Sequence, residues 1–103
     1  MTDLIMFQPG DGATVTYWSD RRAGTIAEVR NGGRTVTWRP DLAIRTDDHG
    51  MSDDQRYRYV RLPDAPTKIF TRRKNGQYVQ QGDPMRGGSR LVPGRHEHYD
   101  YSF

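Results

Sequence analysis

The chain has 103 residues, no cysteine and a formal net charge of +3, so it has the size of one small domain and forms neither disulfides nor cysteine-based zinc sites. Leucine, isoleucine, valine and phenylalanine supply only 17 residues, so we expect tyrosine and tryptophan to fill part of the core. No apolar run is long enough to span a membrane, and the first residues do not resemble a signal peptide. We therefore predict a single β-rich domain over residues 1–103 that stays in the cytoplasm.

Strands are predicted wherever apolar and polar residues alternate between turn signals. In the first half of the chain, the predicted strands cover residues 13–18, 24–30, 34–39 and 42–44. The apolar residues of the second strand, Ile26 and Val29, are three positions apart, which predicts a bulge between them. The sequence Asn31-Gly32-Gly33 follows this strand and predicts a tight turn, because asparagine and glycine tolerate a positive φ.

The second half of the chain continues the pattern, with predicted strands over residues 55–62, 67–73, 77–80 and 90–92. The pair Asn75-Gly76 predicts a two-residue hairpin turn, which would place Arg73 opposite Tyr78. The tail, residues 95–103, is predicted to fold back on the strand 90–92 as a last hairpin. No stretch keeps a 3.6-residue period, so we predict an all-β, mostly antiparallel fold. It would be either a small barrel or a strongly bent sheet with C-terminal hairpins.

The first strands carry a characteristic set of residues. A glycine precedes the first strand, an aromatic residue ends it and an acidic residue follows. A Gly-x-Ile strand then leads to a Val-x-Trp strand. These residues are Gly12, Val15, Trp18, Asp20, Gly24, Thr25, Ile26, Val29, Val36, Thr37 and Trp38. With this set, residues 10–46 resemble the SH3-like small barrels, in particular Tudor-type and KOW-type modules. The chain as a whole resembles small proteins of phages and bacteria.

The resemblance to Tudor-type modules implies an aromatic cage for a cation, formed by Tyr17, Trp18 and Trp38. In such a cage the faces of the rings surround the charge, so each ring must be accessible to the ligand. The scarcity of aliphatic residues favours the alternative, in which Tyr17 and Trp38 pack in the core.

Arginine supplies 14 of the 16 basic residues, and the net charge is +4 over residues 51–103 but −1 over residues 1–50. Arginine favours bidentate contacts with phosphate, and the basic segment 68–74 stands next to the predicted turn at Asn75-Gly76. We therefore predict a phosphate-binding surface with aromatic stacking partners. Its residues are Arg56, Arg58, Arg72, Arg73, Lys74, Tyr78 and Trp18. The alternative is a charged hairpin that protects a sheet edge.

Three other polar segments have a composition that suggests chemistry. The loop at residues 46–54 holds four aspartates without calcium-loop spacing, and we predict that it is mobile unless a ligand orders it. His96, His98 and Asp100 alternate on a predicted strand, where a structural role fits better than a metal site. The glycines and arginines of residues 82–90 match no phosphate-loop pattern. We predict neither a metal nor a cofactor.

No nucleophilic enzyme is indicated, because the sequence has no cysteine, no Gly-x-Ser-x-Gly motif and no convincing order of serine, histidine and aspartate. The sequence favours a non-catalytic protein that binds nucleic acid or a nucleotide. One alternative is a phage-encoded inhibitor or adaptor that binds a host protein or sequesters a nucleotide signal of a host defence system. Another is a small metal-free ribonuclease, with a histidine or an acid as base and arginine or lysine on the phosphate.

Overall fold

The computed structural model describes residues 6–17, 20–48, 55–85 and 87–98. These residues form eight strands: β1 (Gly12–Thr16), β2 (Arg21–Arg30), β3 (Thr35–Pro40), β4 (Leu42–Arg45), β5 (Tyr57–Val60), β6 (Lys68–Arg72), β7 (Tyr78–Gln80) and β8 (Arg90–Pro93). Within these ranges the only helical element is a 3-10 turn, Asn31–Gly33, so the predicted all-β class is confirmed. No helix in this part of the chain is long and apolar enough to cross a membrane.

Six strands close into a barrel in the order β1-β2-β3-β6-β7-β8, and β8 pairs back with β1. Every pairing is antiparallel, so each barrel strand runs opposite to both of its neighbours. Strands β4 and β5 form a separate two-stranded sheet, which interrupts the chain between β3 and β6. Of the two predicted architectures, the chain therefore adopts the barrel.

The predicted bulge in β2 and the turn after it are both confirmed. Along the β2–β3 pair, Ile26 faces Trp38 but Glu28 faces Thr37, so Ala27 is the extra residue of the bulge. Residues three positions apart on a regular strand face opposite sides. The extra residue of the bulge brings Ile26 and Val29 to the same, inner face of the barrel. The turn residues that follow, Asn31–Gly33, have φ values of 55°, 65° and 93°, as the turn composition predicts.

The hairpin between β6 and β7 differs from the prediction by one residue. Arg72 pairs with Tyr78, and the amide of Arg73 donates to the carbonyl of Gln77 at 2.8 Å. A two-residue turn of the predicted type needs a positive φ at both of its residues. Here Gly76 has a φ of 83°, but the φ of Asn75 is negative. The loop is therefore the three-residue alternative, in which a glycine bulge completes a type I turn.

The predicted last hairpin, between residues 90–92 and the tail, is wrong over the described residues. Strand β8 already pairs with β1 on one side and with β7 on the other, so it has no free edge for a third strand. The chain instead runs from Gly12 of β1, whose carbonyl accepts from Gly94, to the start of β2, where Arg21 and His98 exchange two backbone hydrogen bonds of 2.7 and 3.0 Å. Residues 99–103 lie outside the described part of the chain.

The interior of the barrel is rich in aromatic side chains, as the shortage of aliphatic residues predicts. Trp38 and Phe70 meet edge to face with their ring centroids 6.3 Å apart, and Phe7 meets Tyr78 in the same manner at 5.1 Å. The indole nitrogen of Trp38 donates to the carbonyl of Ala13 at 3.0 Å. These aromatic pairs pack with the aliphatic residues Val15, Ile26, Val36 and Leu91.

Candidate functional site

The barrel has two ends, which differ in the side chains that they carry. Because neighbouring strands run in opposite directions, the end of β1 and the starts of β2, β6 and β8 meet at one end. We call it the basic end and define it by Tyr17, Arg21, Arg22, Lys68 and Arg90. The opposite end holds the turns at Asn31–Gly33 and at residues 74–76 and is called the Asn31 end.

The predicted hairpin cations lie at the Asn31 end. The backbone amide of Arg72 donates to the carbonyl of Arg34 at 2.8 Å, which ties the end of β6 to the turn between β2 and β3. Lys74 is exposed in the hairpin loop. Strand β6 has β3 and β7 on its two sides, so this hairpin is not a sheet edge and the alternative of a charged protective edge is wrong.

Two of the predicted hairpin residues, Tyr78 and Arg73, form structural contacts within the protein. The ring of Tyr78 is 0 % exposed and its hydroxyl donates to the carbonyl of Gly33, so the expectation that Tyr78 stacks on a ligand is wrong. The guanidinium of Arg73 donates to Thr71 Oγ1 at 3.0 Å, to the carbonyl of Gln80 at 3.2 Å and to that of Asp83 at 2.9 Å. Arg73 therefore holds the hairpin to the loop that follows it.

The remaining predicted residues, Arg56, Arg58 and Trp18, are not shown to form one surface with the β6–β7 hairpin. Arg56 and Arg58 are both exposed. Arg56 directly precedes β5 and Arg58 lies within it, on the two-stranded sheet outside the barrel. Trp18 lies outside the described residues. The structure thus separates the predicted set among the Asn31 end, the barrel interior and the small sheet.

The basic end contains a pocket that the sequence analysis did not predict. It has a volume of about 260 Å³. Its lining residues are Tyr17, Asp20, Arg21, Arg22, Trp38, Pro40 and Lys68. Three of these side chains are cationic, and the part of the chain that the structure describes offers no carboxylate partner within ion-pair distance of them.

A second hollow adjoins this pocket and has a volume of about 290 Å³. Its lining residues are Thr16, Tyr17, Gly87, Gly88 and Arg90. Tyr17 lines both hollows and is 36 % exposed, so its ring stands between them. An aromatic ring therefore separates a hollow with three cations from a hollow with one.

Tyr17 is held in place by Lys68 without being covered by it. The ammonium of Lys68 donates to the hydroxyl of Tyr17 at 2.9 Å and lies 5.2 Å from the ring centroid. The hydroxyl oxygen lies on the long axis of the ring, so an ammonium this much closer to the oxygen than to the centroid stands at the edge of the ring and not above its face. The hydrogen bond, more than a cation–π contact, therefore fixes the ring.

Arg22 enters the same pocket with part of its hydrogen-bonding capacity unused. One terminal nitrogen of its guanidinium donates to the carbonyl of Asp41 at 3.3 Å. The Nε atom is buried and has no hydrogen-bond partner among the described residues. A buried guanidinium N–H without a hydrogen-bond partner lowers the stability of the fold.

A buried polar cluster surrounds Asp41, the residue whose carbonyl accepts from Arg22. The carboxylate of Asp41, 1 % exposed, accepts from Thr25 Oγ1 and from Arg95 Nε, each at 2.8 Å. Arg95 also donates to Thr25 Oγ1 at 2.9 Å, which closes the triangle. Sequence patterning did not single out this cluster, because its three members come from distant segments and match no motif.

The segment after β8 is fixed by a second buried acid. The carboxylate of Glu97 accepts from the amide of Ala23 at 2.7 Å, and the amide of Glu97 donates to the hydroxyl of Tyr59 at 3.0 Å. Burial raises the pKa of Tyr59 above its ordinary value, and the negative charges of Glu97 and Asp41 raise it further. The Glu97 hydrogen bond and the charge of Arg95 act in the opposite direction.

The two aromatic expectations for the first strands have different outcomes. Trp38 is 1 % exposed and belongs to the core, as the alternative to the cage predicts. Tyr17 stands at the surface, so its predicted place in the core is wrong. The dipeptide Arg21-Arg22, three residues beyond Tyr17-Trp18, is the sequence signal that could have indicated the basic end.

The described histidines do not assemble into a metal site. His96 and His98 lie on the segment that runs from Gly12 to Arg21, and Asp100 lies outside the described residues. Within residues 6–17, 20–48, 55–85 and 87–98, no three side chains of the metal-binding types lie close enough to hold an ion.

Comparison of the chain with known protein families, with curated proteins and with solved structures finds no match. The geometry of the described residues is therefore the basis on which a function is assigned.

Proposed function

We propose that the chain is a non-catalytic protein that binds a phosphate-bearing ligand, either nucleic acid or a nucleotide, at the basic end of the barrel. The observation that carries the proposal is the exposed residue Tyr17, which lines two hollows, one with three cationic side chains and the other with one. The inferred site keeps the predicted chemistry of arginine and tyrosine but moves it from the β6–β7 hairpin to the opposite end of the barrel.

The cations of the basic end suit phosphate because none of them forms an ion pair within the described part of the chain. Lys68 donates to a neutral hydroxyl and Arg22 to a backbone carbonyl, whereas Arg95, for comparison, is paired with Asp41. Three cations without an ion pair among the described residues line one hollow. Together they raise the local concentration of a polyanion and form charge-assisted hydrogen bonds with its phosphates. Arginine adds a planar, bidentate contact that lysine does not offer.

The ring of Tyr17 suits a nucleobase. Stacking of a base on an aromatic side chain contributes about 1–3 kcal/mol and does not depend on the base. A base on Tyr17 would have Arg21 and Lys68 on one side and Arg90 on the other, which matches the phosphates on its two sides in a strand. Recognition by stacking and charge alone would give affinity with little sequence preference.

We further infer that the barrel is of the SH3-like type. The close packing of β2 against β3 supports this, because a side chain at Gly24 would lie 2.3 Å from the carbonyl oxygen of Arg39 and 2.4 Å from the ring of Trp38. Gly24 and Trp38 are both in the set of residues on which the resemblance rests. Ligands of a barrel bind over the loops and strand ends at its rim, and the basic end is such a rim.

The test is fluorescence anisotropy with a labelled oligothymidylate and a labelled oligouridylate of about ten nucleotides each. Replacing Arg21 or Lys68 with glutamine should weaken binding about tenfold, because each change removes a charge-assisted phosphate contact. Each change should also reduce the slope of log K against log salt by about 0.7, the value for one phosphate of a single strand.

The matched control is Lys74→Gln, which removes one exposed lysine at the Asn31 end. It should leave both the affinity and the salt slope unchanged. If Lys74→Gln weakens binding as much as Lys68→Gln does, the ligand lies on the β6–β7 hairpin. If neither oligonucleotide binds at low salt, and mononucleotides do not bind by calorimetry, the proposal is wrong.

A further inference from the structure

A second pocket lies on the wall of the barrel, away from Tyr17. It has a volume of about 300 Å³ and opens where the bulge of β2 displaces the strand. Its lining residues are Gly10, Thr25, Ile26, Ala27, Arg39, Asp41, Arg61, Leu62 and Pro63. Three parts of the chain therefore meet here: the turn before β1, the bulged part of β2 with the end of β3, and the segment after β5. The volume is at the lower limit for small-molecule sites.

Two arginines in this pocket are anchored but carry no ion pair. Arg39 Nε donates to the carbonyl of Ala65 at 3.1 Å, and one terminal nitrogen of Arg61 donates to the carbonyl of Gly10 at 3.2 Å. A guanidinium has five N–H donors, so each of these contacts leaves most of them unused. Neither arginine pairs with a carboxylate in the part of the chain that the structure describes.

The acid of the pocket does not neutralise these arginines. Asp41 lines the pocket, but its carboxylate is engaged by Arg95 and Thr25. Both arginines line this one pocket, and its carboxylate is already paired with Arg95, so the repulsion between their like charges is not offset there. A bound anion would relieve this repulsion and use the free donors.

The rest of the pocket is apolar. Ile26 and Ala27 line it from β2, and Leu62 and Pro63 line it from the segment after β5. A phosphate or a sulfate offers no surface for such a lining, whereas an organic acid places its charge and its apolar group at opposite ends. A planar carboxylate also matches the geometry of a guanidinium fork.

We propose that this pocket binds a monocarboxylate that carries a small branched or linear apolar group, with the carboxylate between Arg39 and Arg61. The carboxylate comes either from a free organic acid or from the C-terminal residue of a peptide, and both present the same chemistry. The proposal does not rest on the phosphate-binding function of the basic end, since the two pockets share none of their lining residues.

The experiment is an NMR titration of the uniformly labelled full chain, in which amide shifts are followed for the residues around the pocket. The probes are 4-methylpentanoate, its amide, and an acetylated Ala-Leu dipeptide with either a free or an amidated C-terminus. The acids should bind with a dissociation constant of about 1 mM or tighter, and the amides should bind at least about tenfold more weakly. Stronger binding of the dipeptide acid identifies a peptide terminus as the source, and stronger binding of 4-methylpentanoate identifies a free acid.

The variants Arg61→Gln and Arg39→Lys test the two arginines. Arg61 is exposed, so its replacement should leave the fold intact, and Arg39→Lys keeps the charge but removes the planar fork. Each should weaken the binding of 4-methylpentanoate about tenfold, whereas Arg58→Gln, on the two-stranded sheet, should not change it. Equal shifts with acid and amide, undiminished affinity in Arg61→Gln, or no binding of either acid would show that the two arginines only fasten the segment after β5.

Discussion

Asp41 connects three parts of the chain at the scale of a single residue. Its carboxylate accepts from Thr25 and Arg95, its amide donates to the carbonyl of Ala23 at 3.0 Å, and its carbonyl accepts from Arg22. The side chain is 2 % exposed, so water does not replace a partner that is lost. Asp41 therefore determines the position of Arg22 in the pocket of the basic end as well as the local stability.

We predict that Asp41→Ala lowers the free energy of unfolding by about 2–4 kcal/mol, because two charge-assisted hydrogen bonds are lost and Arg95 is left without its partner. The side chain of Arg95 is 28 % exposed, and water will compensate for part of that loss. Urea unfolding measures the change. Asp64→Ala, an exposed acid in the turn after β5, is the control and should change the free energy by less than about 0.5 kcal/mol.

At the scale of elements, the β6–β7 hairpin is fastened by a cation and not kept free for a ligand. The guanidinium of Arg73 reaches back to Thr71 and forward to the carbonyls of Gln80 and Asp83. The carboxylate of Asp83 in turn accepts from the amide of Ser89 at 3.1 Å. Arg73 thus connects the hairpin to the connection that leads into β8.

We predict that Arg73→Ala lowers the free energy of unfolding by about 1–3 kcal/mol, because two half-buried carbonyls and a hydroxyl lose a charged donor. The neighbouring Lys74→Ala should change it by less than about 0.5 kcal/mol, since Lys74 is exposed. Thermal unfolding of both variants gives the comparison. Equal stability of the two variants would mean that water replaces the contacts of Arg73 without loss. Replacing both Arg72 and Arg73 with glutamate would remove the same contacts of Arg73. Such a variant would therefore lose stability, and a loss of binding in it would not identify a binding surface.

For the whole molecule, the segment after β8 joins the barrel to the small sheet. Glu97 binds Ala23 of β2 through its carboxylate and Tyr59 of β5 through its amide. His98 continues this connection by pairing with Arg21. The small sheet is therefore attached to the barrel through the hydrogen bonds of Glu97 and not only through the chain between β3 and β6.

We predict that Tyr59→Phe is about 1 kcal/mol less stable than the parent protein near pH 8, because the amide of Glu97 loses its acceptor. The folded state raises the pKa of Tyr59 and so favours its neutral form. The stability that depends on this neutral form is complete below the ordinary tyrosine pKa of about 10 and is lost as the pH rises through the folded-state value. The difference between the two proteins should therefore be constant from about pH 7 to 9 and should shrink above about pH 10. Urea unfolding across this range measures it, and a difference that grows at alkaline pH would contradict the prediction.

The strands were predictable because alternation is a local property of the sequence. The bulge followed from the spacing of Ile26 and Val29, and the turn at Asn31 followed from its composition. The loop at Asn75-Gly76 was not predictable in length, since the same two residues fit a two-residue and a three-residue turn. The basic end depends on barrel closure, which brings Arg21, Lys68 and Arg90 together from positions that no local pattern relates.

The pairing of β1 with β8 has a consequence for how the chain reaches its native state. Ala13 faces Pro93, and the hydroxyl of Thr14 donates to the carbonyl of Gly94, 80 residues further along the chain. During synthesis on the ribosome, β1 can pair with β2 early, but its other edge stays unpaired until β8 has been made. Until then this edge is open to pairing with other chains. Contacts so far apart in sequence make the loop-closing step slow, so folding should take milliseconds to seconds and not microseconds.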